Sequence, residues 1–100
     1  MTPYKHYLRA ADILSKLYGE EFGGKKNGRY RVSEKLMRLL LQRRRLYDSD
    51  ISAVTRALIE RGFVLIDMDS FYVVMSANSF VNYRRVGDAN IQNALSRDAN

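Results

Sequence analysis

Apolar residues recur at helical spacing from the start of the chain. Tyr4, Tyr7, Leu8, Ala11, Leu14 and Tyr18 share one face, and Ile13 and Leu17 widen it. Thr2-Pro3 supplies a hydroxyl cap followed by proline at the first helical position, where its missing N–H costs nothing, so a helix over about residues 3–18 is predicted. The stripe is wider than one surface contact needs, which leaves apolar area for a second subunit, a homodimer through this first helix. Gly19 stops it, and residues 19–28 hold four of the six glycines together with Lys25 and Lys26, the composition of a mobile basic loop.

Arg29-Tyr30-Arg31-Val32 alternates charged and apolar residues, as a very short half-buried strand does. Ser33 then offers a cap with Glu34 at the positive end of a helix dipole, and Leu36, Met37, Leu39, Leu40 and Leu41 form a broad apolar face carried through about Arg45. Tyr47-Asp48-Ser49-Asp50 interrupts with three capping-type residues. A third helix of about a dozen residues, capped at Ser49 and carrying Ile51, Val54, Ala57 and Leu58, follows until Arg61-Gly62. Beyond Gly62 the period changes: Phe63–Ile66 and Phe71–Met75 are β-prone runs around a polar tip, Asp67-Met68-Asp69-Ser70, the pattern of a hairpin. Asn78-Ser79 offers a cap for a short helix through Arg85. The remainder is polar apart from Ile91, Ala94 and Leu95, so a domain over 1–78 and a C-terminal segment over 79–100, weakly helical or disordered, are expected.

The composition narrows the chemistry. One hundred residues without an internal repeat or linker fit one core. With no cysteine, disulfides, thiolate metal sites and cysteine nucleophiles are excluded. His6 is the only histidine and no nucleophile with an orienting partner stands near it, so no catalytic residue, metal site or cofactor is assigned and the chain is not read as an enzyme. Charges at Lys5, Arg9, Asp12, Lys16 and Glu20 break the first twenty residues, so neither a signal-peptide core nor a membrane span is expected there and the cytoplasm is the expected location. The formal net charge is +6 and the pI about 9.8, which favours a polyanion as partner.

The order helix, short strand, helix, turn, helix, hairpin, over roughly residues 3 to 77, is similar to that of the winged helix-turn-helix domains of transcriptional regulators. The segment DISAVTRALIERGFVLID, residues 50–67, resembles the third helix of that superfamily running through a glycine into the first wing strand. The resemblance implies an α+β fold, a three-helix core with a short strand and a β-hairpin wing, and a third helix that enters the major groove with the hairpin beside the backbone. Two features depart from the superfamily pattern: the middle helix is long in leucine and arginine, and the wing is short with an acidic tip. The helical wheel supplies a separate argument. With Ile51, Val54 and Leu58 inward, Ser52, Ala53, Arg56 and Glu60 point outward beside Ser49. Ser49, Ser52 and Ala53 permit close approach and Arg56 suits a paired hydrogen bond to a guanine edge, although an ordinary solvated helix face would look the same.

Charge is unevenly placed. Residues 22–45 carry +8, through Lys25, Lys26, Arg29, Arg31, Lys35, Arg38, Arg43, Arg44 and Arg45 against Glu34 alone. Residues 46–70 carry −3, because Asp48, Asp50, Glu60, Asp67 and Asp69 face only Arg56 and Arg61, and carboxylates oppose the counterion release that drives nucleic-acid binding. Either Asp48 and Asp50 are inward caps while Lys25, Lys26, Arg29, Arg31, Arg43, Arg44 and Arg45 grip the phosphate backbone, or the fold is a protein-binding platform, an adaptor or inhibitor that docks an acidic partner on its basic strip. Three consecutive arginines also suit a solvated helix end. Tyr30 between two arginines and Tyr83 before Arg84-Arg85 are better read as half-buried tyrosines than as base-stacking platforms, and Asp67 and Asp69 as turn residues than as metal ligands. Duplex DNA is therefore the leading expected partner, a protein the alternative and RNA a third.

Overall fold

The computed structural model describes the backbone of residues 3–99 and side chains from Lys5 onward; the hydroxyl cap expected at Thr2 and the side chain of Tyr4 lie outside the described residues. The chain runs α1 (Pro3–Leu17), β1 (Tyr30–Ser33), α2 (Glu34–Leu41), α3 (Asp48–Glu60), β2 (Phe63–Asp67), β3 (Phe71–Ser76), a 3₁₀ turn (Ala77–Phe80) and α4 (Asp88–Ala99). The described residues form an α+β protein with four helices and a three-stranded antiparallel sheet in the order β1-β3-β2.

The core follows from the two apolar periods. Ala10, Ala11 and Leu14 of α1, Met37 and Leu41 of α2, and Val54, Ala57 and Leu58 of α3 close on one face of the sheet, Val32, Leu65, Tyr72 and Val74. The register pairs Val32 with Tyr72 and Leu65 with Val74, which puts these four on the same side. The opposite side carries Val64, Ile66, Phe71, Val73 and Met75, half-buried among themselves, and the Arg31 guanidinium stands 5.6 Å above the Phe71 ring. β2 and β3 are thus apolar on both faces, which explains why neither reads as a clean alternation in the sequence.

Three expectations are corrected. The middle helix does not reach Arg45: it ends at Leu41, where Gln42 turns into the left-handed region at φ 56°. The Gln42 N–H donates to Leu39 O (3.2 Å) and the Arg43 N–H to Arg38 O (3.0 Å), so the last carbonyls are satisfied by the chain folding back on them. Arg43, Arg44 and Arg45 consequently lie in the turn between α2 and α3. The third helix begins at Asp48 with Tyr47 as its N-terminal flank, and Ser49 sits in the first turn instead of at the cap. The segment after the hairpin makes one 3₁₀ turn, closed by the Ser76 hydroxyl accepting from the Asn78 N–H (3.3 Å), instead of a helix through Arg85.

Gly62 joins α3 to β2 at φ 87°, with its carbonyl accepting from Ala77 N–H (2.9 Å). From Lys5 onward no large apolar side chain of α1 is exposed; the wide stripe is used inside the chain, against both α2 and α3. The surplus apolar surface lies at the other terminus, because every described residue of α4 is exposed. The molecule is accordingly elongated, 54 × 32 × 24 Å, with a radius of gyration of 17.1 Å against about 13 Å for a typical 100-residue domain. No helix among the described residues is long and apolar enough to cross a membrane.

Candidate nucleic-acid interface

α3 buries Asp50, Val54, Ala57 and Leu58, and at 100° per residue that choice turns Ser52, Arg56, Ile59 and Glu60 to solvent. Ser49, Ser52, Ala53 and Arg56 come together: all four line a groove of about 360 Å³ between α3 and Tyr7 and Leu8 of α1. A shallower hollow of about 350 Å³ on the other flank is formed with Ile51, Thr55 and Ile59, so Ser52, Arg56 and Glu60 make the ridge between the two. No carboxylate among the described residues is ion-paired with Arg56. Ile59, 59% exposed, was not singled out by the sequence; its position next to Ser52 on the wheel was the available signal.

One of the five carboxylates that oppose phosphate binding is withdrawn from the surface, while Glu60, Asp67 and Asp69 remain exposed. Asp50 is 1% exposed and satisfies three elements at once. Its Oδ2 accepts from the Tyr47 N–H (2.9 Å), which caps α3. Its Oδ1 accepts from the Tyr7 hydroxyl of α1 (2.8 Å) and faces Arg43 Nε of the turn at 3.2 Å. A buried carboxylate requires such compensation. The same ion pair occupies Arg43, one of the cations expected to meet phosphate. Asp48, by contrast, is exposed.

Five of the seven cations expected at phosphate divide between two hollows that share no residue. Lys25, Arg29 and Arg31 line one of about 420 Å³ with Glu20, Phe22 and Tyr30. Arg43 and Arg44 line another of about 410 Å³ with Lys35, Leu36, Arg38 and Leu39 of α2. Lys26 and Arg45 are exposed. The loop is anchored by Tyr30, whose hydroxyl donates to the Leu14 carbonyl and whose ring meets Phe22 edge-on at 5.4 Å.

Burial, and then the charge of Glu20, push the Tyr30 hydroxyl above its ordinary value, and burial with Asp67 raises Tyr72 in the same direction. The unfolded tyrosines ionise near pH 10, so this part of the stability is complete below about pH 10 and is lost as the pH rises from there toward the folded values. Urea unfolding at rising pH should show that decline. Tyr30→Phe should reduce it, leaving the part due to Tyr72, while costing about 1 kcal/mol at neutral pH for the lost hydrogen bond.

At the hairpin tip the Asp67 carboxylate accepts from the Asp69 N–H (2.8 Å), and Asp69 adopts φ 78°. Turn chemistry thus accounts for both acids. Among the described residues no group of three or more potential metal ligands gathers. Comparison with known proteins finds no matching family model, no matching curated protein and no matching solved structure. The class established is an α+β protein whose candidate site is the solvent-facing ridge of α3.

Proposed function

We propose that this chain is a winged helix-turn-helix protein that binds duplex DNA, with α3 in the major groove and the β2–β3 hairpin beside the backbone, acting as a transcriptional regulator or architectural factor. The observation that carries the reading is the α3 surface: a solvent-facing ridge of Ser52, Arg56 and Glu60, bordered by Ser49 and Ala53, with Asp50 turned inward. Small residues around one unpaired arginine suit a base edge. Lys25, Lys26, Arg29 and Arg45 are assigned to phosphate, whereas Arg31 lies over Phe71, Arg43 is held by Asp50 and Arg44 opens onto the α2 hollow. The exposed acids at the hairpin tip favour a second reading, a protein-interaction module of the same fold.

Titration of labelled duplex DNA across a salt series tests the choice. Binding whose affinity falls steeply with salt supports the first reading; absence of binding at low salt, or binding indifferent to salt, removes it. Arg56→Ala should cost about 1–3 kcal/mol on a preferred sequence, roughly 5- to 150-fold, and little on random duplex.

A further inference from the structure

Of the eleven large hydrophobic side chains exposed among the described residues, five lie in the segment that leaves the sheet: Val81, Tyr83, Val86, Ile91 and Leu95. Within α4 the apolar residues Ile91, Ala94 and Leu95 share one stripe at 100° per residue. Asp88 and Asp98 fall toward that same side at its two ends, and Arg97 falls away from it. α4 therefore presents an apolar stripe bracketed by carboxylates. α2 presents the converse. Leu36 and Leu39, 50% and 72% exposed, line a hollow rimmed by Lys35 and Arg44, and no carboxylate among the described residues pairs with either cation.

We infer that the chain forms a symmetric homodimer in which α4 of each copy lies along α2 of the other, with Ile91 and Leu95 on Leu36 and Leu39, Asp88 beside Lys35 and Asp98 beside Arg44. The match is one of spacing as well as charge. Each leucine or isoleucine pair is about one helical turn apart, and the roughly 18 Å of α4 covers the roughly 12 Å of α2. A second copy is the fitting occupant because a two-fold arrangement makes the contact twice, and a single short helix pair falls below the area that a stable interface needs. The inference is independent of DNA binding.

Sedimentation equilibrium of the full chain from low to high micromolar concentration should show a dimer. Leu39→Glu and Leu95→Glu lie on exposed positions of different elements, and each should weaken it roughly thirtyfold or more, with the monomer's circular dichroism unchanged. Lys35→Glu should weaken it as well, and combining it with Asp88→Lys in one chain should restore the association. A wild-type monomer throughout the range overturns the proposal. So does a dimer lost with Leu95→Glu but kept with Leu39→Glu, which would mean α4 pairing with its own copy. Failure of the double charge exchange to recover association overturns it too.

Discussion

Asp50→Ala is expected to destabilise the protein by about 3 kcal/mol, lowering Tm by roughly 12–24 °C for a domain of this size. The substitution removes the cap on the Tyr47 N–H, orphans the Tyr7 hydroxyl and leaves Arg43 facing an apolar methyl group. Arg43 is over a third exposed and can turn to water, which keeps the loss below that of a fully buried pair. Tyr7→Phe removes one of the three interactions and should cost about 1 kcal/mol. The measurement is urea unfolding at fixed pH, read from the shift in midpoint at unchanged slope. A loss below 1 kcal/mol for Asp50→Ala would mean that the cluster does not tie α1, the turn and α3 together as its geometry indicates.

Replacing Lys25, Lys26, Arg29 and Arg45 together by glutamine is expected to weaken duplex binding by roughly a thousandfold at about 0.1 M salt. The slope of log affinity against log salt should fall by about 3.6, near 0.9 for each phosphate contact removed. All four side chains are exposed, and none lies in the core or in an ion pair among the described residues, so stability should change by less than about 0.5 kcal/mol. Non-specific and preferred duplexes should lose equally, in contrast to Arg56→Ala. An unchanged salt slope would separate the basic loop from the nucleic acid and favour the protein-binding alternative.

The sequence carries the hairpin through two β-prone apolar runs around a polar tip after Gly62, and the inward face of α3 through its helical period. The end of α2 is another matter. Leucine and arginine continue in helical register from Leu39 to Leu46 with neither glycine nor proline, and the stop is made by a glutamine in the left-handed region. That turn is closed by the Gln42 and Arg43 N–H groups bonding back to α2, and from within it Arg43 pairs with Asp50 of α3, contacts that no periodicity announces. For the same reason the charge pattern sets Asp50 against phosphate and Arg43 toward it, whereas in three dimensions each satisfies the other. Ser49, Ser52, Ala53 and Arg56 were legible as a group because they share a helix, and their groove was not, because its far wall is Tyr7 and Leu8 of α1. The helicity of α4 was half legible: Asp88 at its start and Ile91 and Leu95 at helical spacing indicate it, but its polarity and the exposure of all its described residues hide it.

β2 is an outermost strand of the sheet, and its Phe63-Val64-Leu65-Ile66 run is apolar without a break. A strand of that kind with an unpaired edge is a template for another chain, and natural proteins guard such edges with charge. Here Asp67 stands at one end of the run and Arg61 just before the other. Variants that loosen α3, the helix packed on β2, should therefore fail by aggregating through this edge as well as by unfolding.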